Sequence, residues 1–144
     1  MCDSETSRNA HRNLFGLKRS KYLICPRSPL ECISDLGEHA KRIHVSCLWD
    51  GLLKLAVWKD SVGIEDVLLL LKSVGMGHAD LAPFRGADAA DIFPVLYYGK
   101  NFDVLRRICR RAKEVTETRL GKKFLNVQFH LVAEGGQKII ASSL

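Results

Sequence analysis

The feature that most constrains the fold is a strand-like alternation near the carboxyl end, FLNVQFHL at 124–131. From Leu125 onward apolar residues take every second position, and asparagine, glutamine and histidine lie between them. Because successive side chains of a strand point to opposite faces, this pattern predicts one apolar and one polar face. A turn over 133–136 and a short return strand at 137–142 should follow. His130 falls on the polar face, where we expect it to be exposed.

Helix signals are clearest in two places. Ser28 followed by Pro29 is a typical helix start, and apolar residues then recur at helical spacing. The stretch NFDVLRRICRRAKEVTETRLG at 101–121 predicts a longer helix, with asparagine as its cap and glycine at its end. A third helix is predicted within 59–77, starting at an aspartate or serine near 60 and ending at a glycine.

Two further stretches suggest strands. Asp50-Gly51 separates two apolar runs and predicts a hairpin over 43–58, with a helix over LLKLAVW as the competing interpretation. IFPVLYY at 92–98 predicts an edge strand, since Pro94 cannot donate to a ladder, and a loop precedes it at 78–91. The expected fold class is therefore α+β, with a mainly antiparallel sheet and two to three helices.

The length of 144 residues suits one domain. Residues 1–20 are polar and basic without a lasting period, so we expect a disordered arm there and a single α+β domain over 21–144. No apolar run reaches the roughly 18 residues that a membrane span needs. The amino terminus lacks the apolar core of a secretory signal, which favours the nucleus or the cytoplasm.

Cysteine and histidine content raises the question of a metal site. The chain has five cysteines, and an odd number in a reducing compartment argues against a disulfide framework. Two cysteines and two histidines have the spacing C-x6-C-x6-H-x4-H, and the first gap is wider than in zinc fingers. We therefore predict no metal site, and an ordinary helix with surface histidines, for Cys25, Cys32, His39 and His44.

Enzymatic motifs are missing from the sequence. It has no phosphate-binding glycine loop, no nucleophile elbow and no pair of closely spaced histidines typical of a helical metal site. We therefore expect a non-enzymatic protein without a cofactor.

Positive charge is concentrated in one segment. Residues 100–123 hold nine Lys/Arg and three Asp/Glu, a surplus equal to the whole net charge of +6. On the helix this surplus could form a face for an anionic partner such as nucleic acid, lipid headgroups or an acidic protein. A solvated face balanced by nearby glutamates is the other interpretation. The residues of this face are Arg106, Arg107, Arg110, Arg111 and Lys113.

The order of several motifs resembles one protein family. Asp50-Gly51 precedes GIEDVLL at 63–69, an amphipathic helix follows, and LNVQF at 125–129 has Gly135-Gly136 close behind. This arrangement resembles the adenovirus early-region-four third-frame family, whose members form tracks in the host nucleus. The resemblance covers about residues 44–140.

The resemblance implies a non-enzymatic viral accessory protein. It would form β-cored dimers, assemble further through its carboxyl end, and act as a scaffold in the host nucleus. The implied partners are tripartite-motif proteins and DNA-repair factors. The implied self-association residues are Leu125, Val127, Phe129, Leu131, Ile139 and Ile140. A basic viral matrix-like or nucleic-acid-binding module, using helix 101–120, is the alternative.

Overall fold

A computed structural model describes residues 1–122, 124–133, 135 and 138–144 of the chain. The fold is a helix-rich α+β arrangement, 57% helical, with seven helices and a three-stranded sheet in that part of the chain. The helices are α1 (Glu5–Phe15), α2 (Pro29–His39), α3 (Trp49–Val57), α4 (Ile64–Ser73), α5 (His78–Leu81), α6 (Ala89–Tyr98) and α7 (Phe102–Leu120). The strands are β1 (Arg42–Cys47), β2 (Asn126–Val132) and β3 (Ile139–Ser142).

The sheet has the order β1-β2-β3, and its longer pairing is parallel. β1 runs beside β2 in a register that pairs Val45 with Phe129 and Ser46 with His130. β2 then pairs with β3 in the antiparallel sense. The predicted mainly antiparallel sheet with two to three helices is therefore wrong. Parallel neighbours need a crossover, and here helices α3 to α7 provide it.

The predicted hairpin at Asp50-Gly51 is also wrong, because α3 begins there. The Asp3 carboxylate accepts a hydrogen bond from Leu48 N at 2.7 Å, beside the amino end of this helix. A Cβ on Gly51 would lie 2.8 Å from the same carboxylate. The glycine thus permits close approach of a distant acid, and does not serve a tight turn. The competing helix over LLKLAVW is the interpretation that holds.

Of the other predicted elements, the helices are present and the strand at 92–98 is not. Helices α2 and α7 are confirmed, with Ser28 accepting a hydrogen bond from Leu30 N and Gly121 left-handed at the end of α7. The helix expected within 59–77 is present as α4, although it starts only after Gly63. The predicted strand 92–98 is wrong, because Pro94 lies inside α6. The preceding segment, predicted as a loop, contains α5 and the start of α6.

The amino-terminal segment is folded, in contrast to the disordered arm expected over 1–20. Met1 and Cys2 are buried, and Cys2 forms β-bridges with Ile24 and with Ser46 of β1. Ser4 caps α1 by accepting a hydrogen bond from Ser7 N. These contacts place α1 over one face of the sheet.

The apolar core lies on the opposite face, where α3 and α7 pack. It takes in most of the residues expected to mediate self-association: Leu125, Val127, Phe129 and Leu131 are all buried within their own chain. Ile139 and Ile140 of β3 are half-buried. The apolar face of β2 therefore completes the core of this chain and is not a free surface.

Of the predicted turn at 133–136, residues 134 and 136 lie outside the described part, as does residue 137 of the return strand.

Candidate metal centre between helix α1 and the sheet

A row of polar side chains crosses the face of the sheet beneath α1. The register aligns Ser46 of β1 with His130 of β2, and His130 with Ser142 of β3. His44 lies two residues before Ser46 in β1 and so shares this face. His11 approaches it from α1. Three histidines that are far apart in sequence therefore meet in one layer.

The ring nitrogens of these histidines converge. His44 Nδ1 lies 3.2 Å from His11 Nε2 and 3.1 Å from His130 Nε2. One ring nitrogen from each residue belongs to a group whose members all lie within 4.8 Å of one another. We call this group, His11, His44 and His130, the histidine triad.

Hydroxyl groups hold the outer nitrogens of two triad members. His11 Nδ1 lies 2.9 Å from Tyr22 Oη, and His130 Nδ1 lies 3.1 Å from Ser142 Oγ. The ring of Phe15 stacks on His11, with 4.3 Å between centroids. These contacts fix the orientation of the His11 and His130 rings, whose other ring nitrogens both lie close to His44 Nδ1. Such outer hydrogen bonds are typical of metal-binding histidines.

Burial keeps the triad neutral. His11 and His130 are only 2% and 0% exposed. The pKa of His11 is lowered to about 4 and that of His130 to about 3, chiefly by desolvation, with smaller contributions from nearby histidines and the amino terminus. The pKa of His44 is also lowered, chiefly by desolvation. Neutral imidazole is the form that binds metal ions.

Two of the three nitrogen separations match those of a tetrahedral zinc centre, and the third is at most 4.8 Å. Zinc binds histidine nitrogen at about 2.0–2.1 Å, which places neighbouring ligand atoms of a tetrahedron about 3.3 Å apart. Both contacts of His44 Nδ1 are close to that value. A ring nitrogen carries either one proton or one lone pair, so His44 Nδ1 can satisfy only one of its two neighbours by hydrogen bonding. A cation at the centre would accept a lone pair from all three.

A cavity of about 460 Å³ adjoins the triad. His11 and His44 form part of its wall, together with Tyr22. His130 is fully buried and does not line the cavity. Two members of the triad therefore border open space, and the third is enclosed by protein.

The sequence-derived metal candidates are not brought together. Cys25 and Cys32 form a disulfide, contrary to the expectation from the odd cysteine count. His39 is exposed at the end of α2. Only His44 belongs to a cluster, and its partners are histidines that sequence reasoning did not select. The expectation that His130 would be exposed is wrong, because α1 covers that face of the sheet.

The arginines of α7 lie on the surface as predicted, but some already have partners. Arg106 pairs with Asp103 at 3.2 Å and Arg111 with Glu114 at 3.7 Å. Lys113 donates to Glu117 Oε1 at 2.8 Å and to Val127 O at 3.1 Å, which ties the helix to β2. Lys113 is therefore structural. Arg107 and Arg110 have no carboxylate partner in the part of the chain that the structure describes.

Comparison with known proteins finds no matching family model, curated protein or solved structure. The resemblance to the adenovirus family, the nuclear location and the host partners that it implies therefore stay predictions. In the described residues, no helix combines the length and apolar character that crossing a membrane requires.

Proposed function

We propose that this protein binds a divalent transition-metal ion, with zinc as the leading candidate, through His11, His44 and His130. The observation that carries this proposal is the convergence of three neutral ring nitrogens on one point. Imidazole nitrogen is a preferred ligand of zinc, copper and nickel. Two outer nitrogens already contact hydroxyl oxygens, so metal binding would leave their hydrogen bonds intact.

The ion would join three segments that are distant in the chain. His11 lies on α1, His44 on β1 and His130 on β2. A metal bound at the triad would therefore fasten the amino-terminal helix to the centre of the sheet. Because the unfolded chain does not preform such a site, binding free energy adds to the stability of the folded protein.

Calorimetric titration of chelator-treated protein with Zn²⁺ tests this proposal. We expect one equivalent to bind, and His44→Gln or His130→Gln to weaken binding by at least about a hundredfold. Tyr22→Phe, which removes an outer hydrogen-bond partner, should weaken it by about tenfold. His39→Gln and His78→Gln are matched controls, since both histidines are exposed and outside the triad.

Circular dichroism of each variant separates lost binding from lost folding. His44 is the more informative position, because it is only half-buried and its replacement disturbs the core least. Wild-type protein that takes up no zinc, or equal affinity in the triad and control variants, would overturn the proposal.

Self-association is a second candidate function, favoured by the free side of β3. The order β1-β2-β3 leaves one edge of this strand without a neighbouring strand among the residues described. Ile139 and Ile140 are half-buried on it. An unpaired edge can add a strand from another molecule. A second copy paired there would give a dimer, which is the first step of the scaffold that the family resemblance implies.

Light scattering at two protein concentrations tests this second candidate. We expect a dimer that survives high salt, and Ile139→Glu should shift it to monomer because the edge then carries a charge. Leu69→Glu serves as a control, since this leucine is 67% exposed on α4, away from the sheet edge. A monomeric wild type at both concentrations would exclude edge pairing.

A further inference from the structure

The triad provides three ligands, and tetrahedral zinc takes four. In structural zinc sites the protein fills all four positions, whereas sites that act on other molecules keep one position open. Among the described residues, the group of converging ligand atoms contains the three histidines and no cysteine or carboxylate. The fourth position therefore has to be filled from outside this group.

The open side of the triad faces the cavity. His11 and His44 line it, whereas His130 is fully buried and does not. A volume of about 460 Å³ lies within the range of small-molecule pockets, which runs from about 300 to 1,000 Å³. A molecule in this cavity could therefore reach the ion directly.

The lining of the cavity selects the chemistry of that molecule. Its surface is mostly apolar, and its aliphatic residues are Leu17, Leu23, Leu36, Ala40 and Ile43. The charged side chains that line it are Lys21 and Arg42, both positive, and the described lining includes no carboxylate. Positive charge beside a metal cation favours an anionic ligand. Aliphatic walls favour an apolar body attached to that anion.

We propose that the fourth metal position binds the carboxylate of a small organic acid whose apolar body occupies this cavity. The inference rests on the proposed metal binding. The carboxylate oxygen would complete the coordination, and Lys21 and Arg42 would offset its charge at the rim. The apolar part would pack against the aliphatic wall, where its burial adds affinity.

Cobalt substitution allows metal binding and ligand binding to be read separately. Co²⁺ has visible absorption bands that report its coordination, whereas Zn²⁺ is silent. Chelator-treated protein is first titrated with Co²⁺, and the one-to-one complex is then titrated with benzoate. We expect tetrahedral bands on adding the metal, and a saturable change in those bands on adding benzoate.

Two further probes separate the anion from the apolar body. Benzamide has nearly the same shape without the charge and should leave the bands unchanged. Acetate has the carboxylate without the ring and should bind at least about tenfold more weakly than benzoate. Equal affinity for acetate and benzoate would show that the cavity does not hold the ligand, and would overturn the inference.

Variants of the cavity give an independent test. Ala40→Phe should fill the space and weaken benzoate binding by at least about tenfold, while Co²⁺ binding stays as in the wild type. Lys21→Ala combined with Arg42→Ala should weaken it by about two- to fivefold, because both charges are exposed. Arg19→Ala is the matched control, since Arg19 is a neighbouring cation outside the cavity lining.

The possible failures are distinguishable. Absence of cobalt bands would contradict the metal site itself. Cobalt bands that benzoate does not alter would refute only the carboxylate ligand. A thiolate-to-cobalt charge-transfer band would show that Cys2, which also lines the cavity, fills the fourth position. That result would likewise refute the ligand proposal while leaving the metal site intact.

Discussion

The two faces of the sheet are both buried, yet they are built from different chemistry. Towards α3 and α7 the strands present an apolar layer that includes Val45, Phe129 and Leu131. Towards α1 they present serine and histidine. Four of the five buried polar residues of the described chain, Ser7, His11, Ser46 and His130, have hydrogen bonds in this second layer. The fifth, Thr116, lies on the core side in α7 and has an unpartnered hydroxyl.

The difference shows that alternation reveals which side chains share a face, but not what covers that face. An antiparallel sheet commonly has one face in water, so a polar face is readily taken as exposed. Here α1 covers it. A buried polar layer is stable only when its groups are paired, and that condition gives the histidines their fixed geometry.

The largest expected difference between the layers is in packing. Phe129→Ala removes a fully buried ring from the apolar layer and should lower the free energy of unfolding by about 3–5 kcal/mol. Ser46→Ala removes one hydrogen bond to Ser7 O in the polar layer and should cost only about 1 kcal/mol. Urea denaturation of chelator-treated protein measures both. Equal costs would mean that the two layers do not differ as described.

Acid should act mainly on the polar layer. An unfolded histidine has a pKa near 6.5, whereas in the folded protein the pKa is about 4 for His11 and about 3 for His130. Between pH 7 and 5 the unfolded chain therefore binds more protons, and stability falls as the pH falls. We expect a loss of at least about 2 kcal/mol in metal-free protein over this range.

Urea midpoints at pH 7, 6 and 5 measure this loss. His11→Gln should make the dependence on pH shallower, since one depressed histidine is removed. His78→Gln, at an exposed position, should leave it unchanged. A stability that does not depend on pH in this range would contradict the buried, neutral state of the triad.

The smallest expected change in stability comes from removing one hydroxyl group, and its sign should differ between the two layers. Thr116→Val removes an unpartnered buried hydroxyl on the core side and should stabilise the protein by up to about 1 kcal/mol. Ser7→Ala removes a hydroxyl that donates to Asp3 Oδ1 at 2.6 Å, and should destabilise it by a similar amount. Thermal melts of the two variants suffice, and the same sign for both would remove this contrast.

Local sequence patterns correctly predicted the helices that have typical start or end residues of their own. Helix α2 follows from Ser28 and Pro29, and α7 from its apolar stripe and Gly121. The hairpin prediction failed because Gly51 makes room for the carboxylate of Asp3 and does not form a tight turn. That contact joins residues far apart in the sequence, so the local pattern could not reveal it. The strand prediction at 92–98 failed because Ile92, Phe93 and Leu96 are buried with helical spacing.

The candidate site could not be predicted from local sequence patterns either, because its residues are far apart in the chain. His11 and His44 are 33 residues apart, and His44 and His130 are 86 apart. Only the parallel pairing of β1 with β2, and the position of α1 above them, brings these residues together. The only signal in the sequence was a histidine at a polar position in each of two predicted strands, His44 and His130. That signal indicates a buried site only when it is known that a helix covers this face of the sheet.

The crossover between β1 and β2 also has a consequence for how the protein is made. On the ribosome His11 and His44 emerge early, and His130 follows only after the five intervening helices have been synthesised. Closing so long a loop is a late and slow step of folding. A growing chain therefore has only two of the three ligands while helices α3 to α7 are synthesised. Loading of the ion, on the function proposed above, therefore has to wait until β2 has been synthesised and paired with β1.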